Sequence, residues 1–313
     1  MTKTKIGVGG KKELRAKIIS LAMLSITVIA GTVLSREAAE YVKEGMRLSV
    51  GCVIPSAFPF MIISDVYIAY GNPENIRLFS KLFSLLFGLP AEGIGAFVCG
   101  NVGGFPIGAK MCADACLAGH LGRDDAERLM PLCNNPSCAF VIGAVGIGMW
   151  ADARIGFLLL ISLYSSVLLC GILTRSKSAK ININSDNIKQ SYNLVESVKH
   201  AGMSSISIIS FICLFSVVLG IIKKRVKYAL LLYPIYALLE VTNAVNFAAF
   251  SQDLPEGIRL AICAFSLGFG GSCVGMQSAV FASSAGIKMG RYYRVKLLEG
   301  ALAASIATLL YLI

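Results

Sequence analysis

The sequence predicts an all-α polytopic membrane protein of two pseudo-symmetric repeats, with broken or re-entrant helices and about eight crossings. Three observations predict it. Hydrophobic residues fill 56% of the 313 positions and charged residues only 15%, against about 25% charged in soluble domains, and mean hydropathy is +0.71. Ile18–Leu34, Ile155–Thr174 and Ala201–Ile222 run 17, 20 and 22 residues without a charge, close to the roughly 20 that a helix needs to cross the hydrocarbon. Glycine- and proline-broken apolar segments then recur in the same order in both halves.

Residues 1–17 form a basic N-terminus. Lys3, Lys5, Lys11, Lys12, Arg15 and Lys17 precede the first span, which puts this end in the cytoplasm. Residues 18–47 hold that span and an interfacial helix, in which Ala38, Ala39, Val42 and Met46 share one face and Arg36, Glu40, Lys43 and Arg47 the other. No small-residue cleavage pattern follows the span, so it is not a removable signal peptide. Flanking cations of this kind, with Lys223, Lys224, Arg225 and Lys227, account for the net charge of +11. Nucleic acid is therefore not expected as a partner; the lipid bilayer is.

Residues 48–174 form the first repeat. Leu48–Ala69 is apolar apart from Pro55, Pro59 and Asp65, and Leu82–Cys99 is broken by Gly88-Leu89-Pro90-Ala91-Glu92. These read as half-helices. The run GNVGGFPIG (100–108) follows. Glycine costs a helix interior about 1 kcal/mol and proline about 3, so the helix unwinds around Gly103, Gly104 and Pro106. Irregular backbone at membrane depth survives only where protein buries it or where it lines a cavity, which makes the break a site candidate. Leu117–Leu129 reads as a polar helix outside the membrane, Pro131–Ser137 (PLCNNPS) as a second irregular segment, and Cys138–Trp150 as too short to cross alone.

Residues 175–200 are a polar connector and 201–313 the second repeat, with Ala201–Ile222, Tyr228–Phe250, a broken region Leu260–Ile287 and Leu297–Ile313. The connector and the Lys223–Lys227 loop are both basic although one span separates them, so charge alone does not orient this half. An offset of 167 carries Gly103, Gly104 and Gly108 onto Gly270, Gly271 and Gly275, and Ala118-Gly119 onto Ala285-Gly286. An offset of 175 carries Phe58-Pro59 onto Tyr233-Pro234 and Asp65 onto Glu240. Paired breaks at corresponding positions are the sequence mark of an inverted-repeat transporter. Each frees amide N–H groups at the start of the following half-helix, which suit an anion or polar group.

The substrate-binding candidates are Asn101, Gly103, Gly104, Pro106, Gly108 and Lys110 at the first break, with Asn134, Asn135 and Ser137 beyond it. Gly270, Gly271, Ser272 and Gln277 are their counterparts in the second half. Asp65, Asp114 and Glu240 are carboxylates at membrane depth, where a charge is costly and usually faces a cavity or a partner. Lys110 and Asp114 stand at i, i+4 and can pair, and Ser137 can cap the helix that follows. Cys112 and Cys116, like Cys133 and Cys138, read as buried thiols; no metal or other cofactor is expected, since His120 and His200 are the two histidines and neither supports them. Without an HExxH, a P-loop or a nucleophile–base pair, the chain reads as a carrier and not an enzyme.

The stretch Cys99–Gly146, CGNVGGFPIGAKMCADACLAGHLGRDDAERLMPLCNNPSCAFVIGAVG, resembles the YlbJ-type sporulation integral membrane proteins of the nucleoside recognition (Gate) domain group. The run Gly104–Lys110, Asp114, Glu127-Arg128-Leu129 and Cys133-Asn134-Asn135 carry the resemblance, and Pro55–Asp65 (PSAFPFMIISD) is similar to the family's upstream helix. The second half matches more loosely, its GGSCVG lacking the proline. The resemblance implies a spore-forming bacterium, a multi-pass protein of a membrane around the developing spore, and passage of dipicolinate, with a nucleoside as the family-level alternative. A non-transporting scaffold of a sporulation membrane complex is the third reading. The coupling ion and the oligomeric state stay open.

Overall fold

The computed structural model describes residues 25, 35–70, 77–176, 194–226, 228–251 and 253–313. The basic N-terminus, the first span apart from Ser25, and connector residues 177–193 lie outside the described residues. Among those described, the chain forms 13 α-helices and no strand. α1 (Ser35–Leu48) passes through a π-helical turn (Ser49–Val53) into α2 (Ile54–Tyr70); α3 (Arg77–Phe87), α4 (Ile94–Gly103), α5 (Ile107–Leu117) and α6 (Arg123–Cys133) follow. A π-helical segment, Ala139–Met149, leads to α7 (Ala153–Leu173). The second half runs α8 (Leu194–Arg225), α9 (Ala229–Leu239), α10 (Val241–Phe250), α11 (Glu256–Phe269), α12 (Gly271–Ser284) and α13 (Met289–Leu312).

Four stretches are long and apolar enough to cross a membrane: α7, α8, the run Glu256–Ser284 and α13; counting each bent helix pair as one span raises this to six. The expected eight are not reached among the described residues. The segment read as the first span, Ser25 apart, lies outside those residues and does not enter the four to six. The spans turn large apolar side chains outward, such as Ile161, Leu173 and Ile206 at 55%, 65% and 66% exposure. In lipid, whose tails are as apolar as leucine, that surface is at home.

α8 has 32 residues, about 48 Å of helix against about 30 Å of hydrocarbon, so both ends reach past the apolar zone. It begins at Leu194, inside the segment read as connector, with Glu196 in its first turn favouring the helix start. α1, read as an interfacial helix, runs antiparallel along the second half of α8. Lys224 pairs with Glu37, Tyr41 lies against Gly220, and Gly45 lies against Cys213 and Ser216. The two glycines let these backbones approach.

The Gly88–Glu92 break is a bend of 105° between Phe79–Phe87 and Ala91–Gly103. Buried Arg128 anchors it: its Nη2 donates to Phe87 O (2.8 Å) and Ser176 O (2.8 Å), its Nη1 to Gly88 O (3.2 Å), and it pairs with Asp125 at 3.1 Å. One guanidinium thus satisfies carbonyls left over at the ends of α3 and α7. The polar helix around Arg123 therefore buries an ion pair on its inner side.

The element order repeats. The proline-bearing helix packs on the helix before the glycine break (α2 on α4, α9 on α11), and the helix after the break packs on its successor (α5 on α6, α12 on α13). Gly104 and Gly271 both hold positive φ, +89° and +76°, as do Gly119 and Gly286, +76° and +67°. Each pair is separated by 167 residues. Equivalent helices also meet across the molecule, α5 against α12 and α6 against α13. The halves differ at the breaks. α5 folds back on α4, whereas Glu256–Ser284 remains one 29-residue crossing candidate through Gly270-Gly271.

Candidate functional site

At the first break α4 stops at Gly103, Gly104 takes φ +89°, the Phe105–Pro106 peptide is cis, and α5 starts at Ile107. The reversal is held by bare backbone. A Cβ on Gly100 would lie 2.2 Å from the Cys133 carbonyl oxygen, and one on Gly108 would lie 1.9 Å from the same atom. Only glycine leaves room for three segments to meet there. A Cβ on Gly104 would lie 2.8 Å from Ser137 N, so the PLCNNPS segment is the seat on which the break rests.

That segment is also the polar centre of the molecule. Asn134 and Asn135 are fully buried. Asn134 Nδ2 donates to Ser278 Oγ (2.8 Å) on α12 and Tyr292 Oη (2.9 Å) on α13, while its Oδ1 accepts from Ala109 N (3.4 Å). Asn135 Nδ2 donates to Asn101 Oδ1 (3.0 Å) and Leu132 O (3.0 Å). Its Oδ1 accepts from Lys296 Nζ at 2.5 Å, and Lys296 pairs with Glu299 at 2.8 Å. Lys296 and Glu299 are both 0% exposed. Two adjacent asparagines therefore tie the first break to α12 and α13 through hydrogen bonds that hydrocarbon offers no means to replace. Ser137 accepts from Phe140 N (3.2 Å), capping the following π-helical segment as its position suggested.

The second break is Gly270 and Gly271, both at positive φ (+81°, +76°). A Cβ on Gly271 would meet Leu239 O and Glu240 N at 3.0 and 3.1 Å, and Ser272 Oγ donates to Leu238 O (2.9 Å). It crosses a further break that the apolar stretch Tyr228–Phe250 did not announce. α9 ends at Leu239, and Glu240, extended at φ −150°, caps α10 by accepting from Thr242 N (2.9 Å) and Asn243 N (2.6 Å). Asn243 Nδ2 adds a third bond to the same carboxylate (2.7 Å). A carboxylate at a helix start satisfies free amides and favours the dipole, which is how Glu240 stays buried at 1% exposure. Asp65 lies inside α2 with no break at its position, and its side chain is outside the described set.

The breaks meet. A Cβ on Gly270 would lie 3.2 Å from the Phe105 ring, so the tip of the first break rests on the second. Beside this contact is a cavity. Gly103, Gly104 and Phe105 wall it from the first break and Ser137 from its seat; Cys273, Val274 and Gln277 wall it from α12, and Glu240 and Thr242 from the α9–α10 break. Of the residues read from the sequence, Gly103, Gly104, Ser137, Gln277 and Glu240 come together here. Asn101, Asn134 and Asn135 lie behind it, in the buried network. Pro106 and Lys110 open on a separate recess with Ser204 and Phe281, and Lys110 pairs with Asp114 at 3.1 Å as its spacing allowed. Gly108, Gly271 and Ser272 serve the backbone contacts already described.

Sequence reasoning missed Lys296, Glu299 and Tyr292. Lys296 stands just before the apolar run Leu297–Ile313, where a lysine reads as an end-of-helix flank that snorkels to water. The signal available was Glu299, an acid three residues on and inside that run. Among the described residues no group of three or more His, Cys, Asp or Glu side chains could hold a metal ion.

The sporulation integral membrane protein YlbJ of Bacillus subtilis (strain 168) is 27% identical to this chain in an alignment of 333 residues, covering 92% of this chain and 80% of that protein. No family model and no solved structure matches the chain. The likeness to the YlbJ-type proteins extends over nearly the whole length; the Gate label has no matching family model behind it. The chain is thus similar to a sporulation integral membrane protein, and its several apolar helices are those of a multi-pass membrane protein.

Proposed function

We propose that the chain is a secondary transporter of a small anionic or polar solute, bound where the two broken segments meet, with dipicolinate as the first candidate. The observation that carries this reading is the contact of Phe105 with Gly270, which joins two repeat-related breaks beside one cavity. Unwound segments at membrane depth are tolerated where they line a cavity, and their convergence marks the binding position in repeat-built transporters. Dipicolinate and a membrane around the developing spore come from the YlbJ-type resemblance. The cavity is mostly apolar, with Ser137, Thr242, Gln277 and Glu240 among its lining residues, a mix that suits a small solute with both apolar and polar parts.

Glu240 on the cavity wall favours a second reading, a nucleoside, whose hydroxyls would donate to a carboxylate and whose neutrality avoids repulsion. The two are separated by uptake of labelled dipicolinate and labelled uridine into liposomes holding the purified full chain. Saturable dipicolinate uptake supports the first reading and uridine uptake the second. Flux of neither, by protein that elutes as a single folded species, would leave the scaffold reading.

A further inference from the structure

Lys296 and Glu299 form an ion pair with no exposed surface, inside a helix that is itself a crossing candidate. Such a pair is a poor way to stabilise a fold, because desolvation of both ions offsets most of their attraction. Two features set it apart from a structural tie. Glu299 gives Oε1 to Lys296, but Oε2 is buried without a hydrogen-bond partner among the described residues. Lys296 has three N–H groups and two oxygen acceptors, Asn135 Oδ1 and Glu299 Oε1. Its Nζ lies 5.9 Å from the centroid of Phe105, and that ring is part of the cavity wall.

We propose that Glu299 is the site of a coupling proton and that Lys296 is the countercharge it releases to an anionic solute. The inference rests on the transport reading above and supplies its driving ion. At rest the pair is neutral. A proton from the aqueous phase adds to Glu299 Oε2, the oxygen with no partner, giving the neutral acid. Lys296 then keeps Asn135 but loses its anion, and an unpaired ammonium at this depth is costly. A solute carboxylate in the cavity restores neutrality once Phe105 turns aside and the flexible lysine stem reaches past it. Proton and anion therefore bind together and leave together, one proton for each negative charge that Lys296 compensates.

The surroundings suit this exchange. On α13 the titratable neighbour is Tyr292, held by Asn134, and on α7 it is Cys170. α11 brings small residues, with Gly268 against the Glu299–Gly300 backbone. Asn101 and Asn135 are neutral, and Arg128 on α6 is occupied by Asp125 and three carbonyls. Among the described residues no second carboxylate hydrogen-bonds to or pairs with either ion.

Two measurements test it. In liposomes carrying the full chain, a one-unit pH gradient, acid on the side of the solute, should drive about tenfold accumulation of labelled dipicolinate per coupled proton. Glu299→Gln should lose this accumulation while still equilibrating the solute. Solute uptake that ignores the gradient, or gradient-driven accumulation surviving in Glu299→Gln, overturns the proton site and leaves the transport reading standing. The second measurement needs no solute. Infrared difference spectra of the purified protein between alkaline and acid buffer should show a protonated-carboxyl band that Glu299→Gln lacks. Its absence in the parent protein overturns the proposal even if dipicolinate proves the wrong solute. Because Glu299→Gln strands a buried ammonium, Lys296→Met/Glu299→Gln serves as the folded control: it should match the parent in thermal unfolding and accumulate nothing, and accumulation by it overturns the role of the pair.

Discussion

Asp124 and Arg291, 167 residues apart and therefore equivalent under the repeat offset, are joined by an ion pair of 3.0 Å. Equivalent residues touch only near the axis that relates the two halves, so this pair marks the pseudo-two-fold between the starts of α6 and α13. Asp124 is largely exposed, and its energetic worth should be small. A double-mutant cycle of Asp124→Asn and Arg291→Gln, read by thermal unfolding in detergent, should give a coupling below about 1 kcal/mol. Paired cysteines at these positions should nonetheless crosslink readily, and failure to do so would contradict the axis.

Gly108→Ala and Gly100→Ala should each lower stability by about 1–3 kcal/mol or prevent folding, because the added methyl meets the Cys133 carbonyl and not a movable side chain. Gly202→Ala is the matched control. It is helical with open space around the position, and alanine there should be neutral or gain up to about 1 kcal/mol. Melting temperatures of the three variants decide the matter.

How much of this could be read beforehand follows from the range of each interaction. The breaks at Gly88–Pro90, Gly103–Pro106 and Gly270–Gly271 were legible because glycine and proline act on their own backbone. The repeat was legible as spacing. The Asn134-Asn135 pair was visible as polar, but its partners Ser278, Tyr292 and Lys296 lie 144 to 161 residues away, and no local pattern names them. Glu240 was seen as a lone carboxylate. Its capping of α10 was hidden because the helix break there uses no glycine or proline, only an acid followed by Thr242 and Asn243. The number of crossings stays at four to six among the described residues, because the segment read as the first span lies outside them, Ser25 apart, and a bent helix pair need not cross.

Asn134→Ala should cost about 1–3 kcal/mol, as it removes three buried hydrogen bonds at once. Tyr292→Phe removes one of them and should cost about 1 kcal/mol. Urea or thermal unfolding in detergent checks the order. A loss from Tyr292→Phe equal to that from Asn134→Ala would shift the weight of the network onto the tyrosine.

Gln277→Ala and Thr242→Val alter the cavity wall without touching the asparagine network. They should raise the KM for the transported solute several-fold while leaving the melting temperature within about 2 °C of the parent, given the usual small effect of such changes on stability. Equal losses of stability and flux would move both residues from solute contact to scaffolding.

Glu240→Gln keeps one oxygen for the Thr242 and Asn243 amides but removes the charge from the cavity wall. Helix capping should weaken by about 0.5–1 kcal/mol. Affinity for dipicolinate should rise and affinity for uridine should fall, measured by equilibrium binding in detergent. A fall for uridine with no rise for dipicolinate would argue for the nucleoside.

The reversal from Gly100 to Gly108 is wedged against the backbone of Cys133, Asn134 and Ser137, while Gly271 bears on the joint between two short half-helices, α9 and α10. A duplicated design has thus assigned unlike mechanical duties to its copies. If the chain transports as proposed, the first break, packed against the Cys133 carbonyl, should stay in place, and the displacement that opens the cavity is expected in the C-terminal half.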